Sequence, residues 1–180
     1  MDRPKVCAVV SCGATKRDLE PGEAIEARLL YDSSVHTCKD RYGRHSDGYY
    51  IMSAEFGLVH HATEISTYDK TLENMTDCER KAWASKVTRA LQDVLSDGDF
   101  DAVVFIGGKT YVGALEPHFD RLPVAVLTPW QTDDWVTGVG RGMAWCNDES
   151  HWPEHIDTLE EIGEIVSPAF ESDAGSEQGV

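Results

Sequence analysis

The chain has no CxxC pair, no Walker phosphate loop and no apolar run long enough to span a membrane. Each absence removes a class of protein. Without paired cysteines, and with an odd set of five (Cys7, Cys12, Cys38, Cys78 and Cys146), neither a disulfide framework nor a zinc ribbon is expected. The missing GxxxxGK[ST] spacing excludes a P-loop. A spanning helix needs roughly 18 apolar residues in succession. The N-terminus has basic residues but no signal-length apolar stretch behind them. No membrane partner is therefore expected, and a cytoplasmic location is predicted. Internal repeats are also missing, which leaves one domain with one core as the natural reading of 180 residues.

Basic residues are scarce as well. Sixteen Lys and Arg stand against 32 Asp and Glu, a net charge of -16. The acid is spread along the chain, and apolar runs such as 6–10 and 102–106 persist within it, so the composition is not that of an acidic disordered segment. A folded core under an acidic skin fits a halophilic organism or its virus, where molar salt screens self-repulsion over about 3 Å. An acidic surface normally argues against nucleic acid. In high salt the backbone attraction is suppressed in any case, and recognition rests on base pockets and stacking.

What is present is an alternation of strands and helices. Val6 to Val10 is an unbroken apolar run, the mark of a strand buried on both faces. A helical stretch is predicted between Pro21 and Tyr42, a second strand over Tyr49–Ala54, and a loop over Gly57–Thr71. Thr76 with Glu79 forms a capping box. The helix it opens carries Trp83, Val87, Leu91 and Leu95 on one stripe and closes at Gly98. A third strand follows at Asp101–Ile106, a short helix at Thr110–Phe119 and a fourth strand at Pro123–Thr128. Trp130–Trp152 reads as irregular, and Ile156, Leu159 and Ile162 suggest a last helix. The expected fold is α/β: a three-layer sandwich around a mostly parallel sheet of about four strands, formed by residues 1–166, with 167–180 a disordered acidic tail.

In open parallel sheets ligands bind at the carboxyl ends of the strands. Here those ends are Ser11-Cys12-Gly13, Ser53-Ala54-Glu55, Gly107-Gly108 and Thr128-Pro129-Trp130. Cys12 reads either as a nucleophile favoured by Lys16 four residues on, or as a small core residue. Lys16 reads as an anion binder or as a solvated charge. Glu55 is a general base or a surface acid. Tyr68-Asp69 brings a phenol and a carboxylate over the pocket, or is a turn. Gly107-Gly108 offers an anion cradle of weak signal. Trp130, Trp135 and Trp145 either stack on a base or close a small core, with the core favoured. His60-His61 lacks a third ligand, so no metal site and no cofactor are expected.

Taken in order, Ser11-Cys12-Gly13 with Lys16, Leu30-Tyr31-Asp32-Ser33, Tyr50 to Val59 with its Ser53-Ala54, and Tyr68 to Leu72 resemble an uncharacterised bacterial, archaeal and phage domain family over about residues 5–146. That family also has a glycine pair near a tyrosine, here Gly107-Gly108 and Tyr111, and a late G-x-G before a tryptophan, here Gly138, Gly140 and Trp145. It is similar in turn to the catalytic domain of archaeosine synthase, which acts on 7-cyano-7-deazaguanine in tRNA, and more distantly to uracil-DNA glycosylases. Cys12 to Lys16 keeps the C-x-x-x-K spacing, and Tyr31, Ser33 or Ser34, and His36 echo the residues that follow it. Ser11 stands where that motif has proline, extra residues separate Lys16 from Tyr31, and no stretch remains for a tRNA-binding domain. The resemblance implies an enzyme acting on a nucleobase, nucleoside or nucleic acid, with Cys12, Lys16, Glu55 and Asp69 catalytic. Ser11, Gly13, Tyr31, Ser53, Tyr68, Gly107, Gly108 and Tyr111 would contact the substrate. The alternative is a non-catalytic base-binding or viral accessory protein on the same fold.

Overall fold

A computed structural model describes residues 2–169. Its strands are β1 (Val6–Ser11), β2 (Ile25–Glu26), β3 (Gly48–Ser53), β4 (Gly57–His60), β5 (Glu64–Ile65), β6 (Ala102–Ile106), β7 (Ala125–Leu127) and β8 (Ile165–Ser167). Its helices are α1 (Ala27–Leu30), α2 (Ser34–Arg44), α3 (Asp77–Asp97), α4 (Lys109–Leu115), α5 (Pro129–Thr132) and α6 (Gly138–Asn147). The main sheet has the order β4-β3-β1-β6-β7-β8. Its four inner strands are parallel, while β4 and β8 run antiparallel on the two edges.

The inner strands form because their side chains are apolar on both faces. Every residue of β1 and of β6 is buried, which requires helices above and below. The chain supplies them by reversing direction. From β1 it crosses through α2 to β3 on one side, and from β3 it crosses through α3 to β6 on the other. Right-handed crossovers taken in opposite directions place α2 and α3 on opposite faces. The reversal makes the gap between the ends of β1 and β6 the topological switch point.

The expected α/β sandwich is present, with six strands in the central sheet rather than about four. Two were missed because they are short edge strands with mixed exposure: β4, inside the stretch read as a loop, and β8. A small β2–β5 ribbon was missed for the same reason. The helix expected between Pro21 and Tyr42 is broken. Gly22 adopts a positive φ of 83°, the chain passes through β2 and one turn of α1, and Ser33 then caps α2 by accepting from the His36 N–H at 3.1 Å.

The capping box of α3 forms as read, with Thr76 and Glu79 bonded reciprocally, and Trp83, Val87, Leu91 and Leu95 are buried. The irregular stretch 130–152 instead contains α5 and α6. Its glycines are tolerated: Gly138 takes a positive φ at the helix start, and Gly142 lies against the Trp130 indole, where an added Cβ would meet ring carbons at 3.0 Å. Trp145 is fully buried, Trp130 half-buried and Trp135 exposed, so one of the three tryptophans closes the core. The last expected helix is reduced to short 3-10 turns, although Ile156 and Ile162 are buried. Ser167 pairs with Val126 in β8. Most of the tail expected from 167 lies outside the described residues.

Candidate active site at the end of strand one

Cys12 leaves β1 at the switch point, with its N–H still bonded to the Met52 carbonyl at 3.0 Å. Across the gap, Tyr111 on α4 is held by the loop that ends β6. The Cys12 thiol donates to the Tyr111 hydroxyl at 3.2 Å. This contact joins residues 99 positions apart. Beneath it the strands are tightly apposed, since a Cβ on Gly107 would lie 2.4 Å from Ser11 Oγ. Gly107 is thus a glycine because Ser11 occupies the space a side chain would need.

Two further phenols close over Cys12 from the other side. The hydroxyls of Tyr31 and Tyr68 share a hydrogen bond at 2.7 Å. Lys16 places its ammonium 4.3 Å from the centre of the Tyr68 ring, a cation–π contact. Burial pushes all three phenols well above their usual range, and charge on Cys12 pushes them further. They therefore keep their protons at neutral pH and can donate to a sulfur or a bound anion.

The long separation between Lys16 and Tyr31 is resolved by the backbone. The chain loops out through β2 and α1 and returns to pair Lys16 with Tyr31, with the Arg17 N–H on the Leu30 carbonyl at 2.8 Å and the Asp32 N–H on the Thr15 carbonyl at 3.0 Å. Extra residues in sequence leave the two side chains adjacent in space. His36 turns away from the cluster: its Nε2 bonds the Arg28 carbonyl at 2.7 Å, and burial lowers its pKa. That ring is neutral and closes the turn between α1 and α2.

Two residues of the site were not found from sequence. Lys39, on α2, is only 4% exposed and donates to the Ser11 carbonyl at 2.7 Å and to Ser11 Oγ at 3.2 Å. It forms no ion pair among the described residues. Burial lowers its pKa to about 8, opposed by the charges of Cys12 and Cys146. The signal was a lysine on the same helical face as Val35, Cys38 and Tyr42, an inward stripe where a solvated charge does not belong. Trp83 is the second. Its indole N–H holds the Ser53 carbonyl at 2.9 Å, and its ring meets Tyr111 edge-on at 5.8 Å.

The remaining predicted residues divide. Ser11, Cys12, Lys16, Tyr31, Ser53, Tyr68 and Tyr111 come together, and Gly13 packs beside Tyr31. Glu55 and Asp69 are exposed, and the tie of Glu55 to this group is its backbone N–H on Ser53 Oγ at 3.3 Å. Gly107 and Gly108 border a neighbouring cleft of about 990 Å³, which none of Cys12, Lys16, Glu55 or Asp69 lines. Among the described residues no group of three or more His, Cys, Asp or Glu is placed to hold a metal ion, and no helix is long and apolar enough to cross a membrane.

No curated protein and no solved structure matches the chain. A family model does, over residues 7–147, a span that runs from β1 through α6 and contains the whole cluster around Cys12. The chain belongs to that family, a family of unknown function designated DUF6884.

Proposed function

We propose that the protein is an enzyme acting on a nucleobase or modified base, with Cys12 as its nucleophile. The observation that carries the reading is the Cys12–Tyr111 contact at 3.2 Å across the switch point, the place where open α/β sheets hold ligands. Around the sulfur stand the two parts that covalent catalysis needs besides a nucleophile. The phenols of Tyr68 and Tyr111 supply protons to developing charge. Lys39, with its pKa of about 8, exchanges a proton near neutrality. Glu55 and Asp69 face solvent, so acid–base work falls to these groups. Lys16 above Tyr68 offers a cationic lid for an anionic or electron-rich ligand.

The nucleobase part rests on the resemblance of the C-x-x-x-K motif and its companions to archaeosine synthase. The return of Tyr31 to Lys16 supports it, because it removes the main departure in spacing. A cyano-deazapurine is the matching substrate. Addition of the Cys12 sulfur to the nitrile carbon forms a C–S bond and breaks one C–N π bond. The thiol proton passes to the Tyr111 hydroxyl it is bonded to. The nitrogen takes one proton from that phenol or from Lys39, which the thiol proton replaces, and the product is a neutral thioimidate.

A second reading has one observation in its favour. Cys12 is 8% exposed and is not among the residues that line the cleft of about 990 Å³, as in a binding module whose ligand site is that cleft. Incubation with 7-cyano-7-deazaguanine followed by intact-mass and peptide mass spectrometry separates the two. The enzyme reading expects a covalent adduct on Cys12 that Cys12→Ala lacks. Ligand-raised melting temperature in both proteins, with no adduct, establishes the binding module. No adduct and no thermal shift with any base, nucleoside or nucleotide overturns both.

A further inference from the structure

Helix α4 separates two clefts. On one side is the cleft of about 990 Å³ beside β6 and β7, with Trp130 in its wall among Val112, Phe119 and Val136. On the other, α3 and α4 face each other across a groove of about 780 Å³. Lys109, Gly113 and Pro117 line both. The outer face of α4 is therefore a saddle between them. Gly113 keeps it low, since it is exposed and an added Cβ there would meet nothing within 4 Å.

The groove reverses the charge of the chain. The protein as a whole has twice as many acids as bases, yet Arg80, Lys81 and Lys109 line the groove with His118 against Asp77 alone. Asp77 lies 3.6 Å from Arg80. Lys81 and Lys109 are exposed and make no ion pair among the described residues. Arg80 Nε is buried with no hydrogen-bond partner. Cations gathered in a concave surface focus the field there and attract an anion.

The two helices that wall the groove also lead to the Cys12 cluster. Trp83 on α3 and Tyr111 on α4, each next in sequence to a groove residue, meet edge-on, and Tyr111 touches Cys12. The opposite cleft has a different character. Its walls are largely apolar and aromatic, and its acids, Glu116 and Asp120, suit the amino groups of a base rather than a phosphate.

We propose that the α3–α4 groove and the Trp130 cleft are one track for single-stranded nucleic acid. Phosphates lie on Arg80, Lys81 and Lys109, and the strand crosses α4 at Gly113 to place a base against Trp130. This deepens the nucleobase reading and rests on it: the base arrives within a polymer rather than free. A duplex does not fit the role, because its bases face inward and leave none for the cleft.

The test is fluorescence anisotropy with labelled oligonucleotides of about 12 nucleotides, as DNA and as RNA, between about 20 and about 200 mM KCl. Contacts to three phosphates predict a slope of log affinity against log salt of about -2. Lys81→Ala with Lys109→Ala, both at exposed sites, reduces that slope by about 1.4 and weakens low-salt binding at least about tenfold. A duplex of the same sequence binds at least about tenfold more weakly than the single strand. Tighter binding of the DNA or the RNA strand identifies the sugar. Equal binding by the double variant, equal binding of duplex, or no binding at low salt overturns the track. The free-base adduct on Cys12 is measured in the native protein and in the double variant, and the track expects it in both. If it forms while the native protein binds no oligonucleotide, the track fails and the nucleobase reading stands; if the native protein shows neither, both fail.

Discussion

The two sides of the switch point are built differently. On the β1–β3 side, Cys12, Tyr31, Ser53, Tyr68 and Lys39 form a closed polar cluster in which each group is buried or half-buried and bonded to a neighbour. On the β6–β7 side an open cleft is floored by buried Val112, Phe119 and Val136 and rimmed by more exposed apolar residues, including Val139 at 60% exposure. The closed side holds the thiol, the phenols and the buried lysine. The open side holds a cleft of about 990 Å³ that has charged groups, Lys109, Glu116 and Asp120, but no thiol or tyrosine in its wall. Gly107 joins them, as it borders the cleft and packs on Ser11. On the proposed function chemistry belongs to one side and recognition to the other, and each assignment is open to attack by mutation.

The largest effect belongs to the closed side. Cys12→Ser, measured by rate of base conversion, reduces activity by on the order of a thousandfold or more while leaving the fold intact. Comparable loss from a variant on the open side with Cys12 untouched would reverse the assignment.

Lys39 gives the next effect, through pH. Its pKa falls from 10.5 to about 8 on folding. Below about pH 8 both folded and unfolded chains hold the proton, and the folded state bears a buried cation. Between about 8 and 10.5 the unfolded chain keeps the proton that the folded chain has lost, so stability rises with pH. At 1.36 kcal/mol per pH unit the rise is about 3 kcal/mol. The buried Cys7 thiol, pushed up to about 12 by burial, titrates with the opposite sign and cancels in a difference. Denaturant unfolding of the native protein minus Lys39→Met, across this window, isolates the rise. A flat difference would mean that Lys39 is not desolvated.

At the junction, Gly107→Ala drives a methyl group into Ser11 Oγ. Overpacking of this kind costs about 2 kcal/mol, and it displaces Ser11 from Lys39. Thermal unfolding checks the cost, and the Lys39 window should narrow with it.

How much of this was legible follows from burial. β1 and β6 were plain because a strand covered on both faces must be apolar throughout, and their ends identified Ser11-Cys12 and Gly107-Gly108 as neighbours. The α3 boundary was plain because Thr76 and Glu79 satisfy each other's backbone groups. β4 and β8 were not, because a short edge strand has one wet side and no period to detect. α6 was hidden by Gly138, Gly140 and Gly142; the structure accounts for Gly138 by its positive φ and for Gly142 by its packing on Trp130, and nothing in it explains Gly140. Lys39 was hidden by its type: a lysine in an apolar stripe is read as solvated unless its neighbours are counted as a face. Glu55 and Asp69 drew notice by position next to buried elements, but a turn directs side chains outward.

The smallest effects provide the finest comparison. Tyr31→Phe removes one hydroxyl from the closed cluster and leaves the Tyr68 hydroxyl without its 2.7 Å partner. A net hydrogen bond of this kind contributes about 1 kcal/mol. Val139→Ser, on the open side at 60% exposure, changes stability by less than about 0.5 kcal/mol. Urea unfolding of the two variants should therefore separate them by about twofold or more in cost. The contrast sharpens when ligand is present. If a base enters the open cleft, Val139→Ser reduces the ligand-induced rise in melting temperature and Tyr31→Phe leaves it unchanged. A base that instead displaces Tyr31 from Tyr68 to reach Cys12 makes Tyr31→Phe bind more tightly, because the phenol pair no longer has to be broken. The sign of the Tyr31→Phe effect on ligand binding thus tells whether the closed side opens.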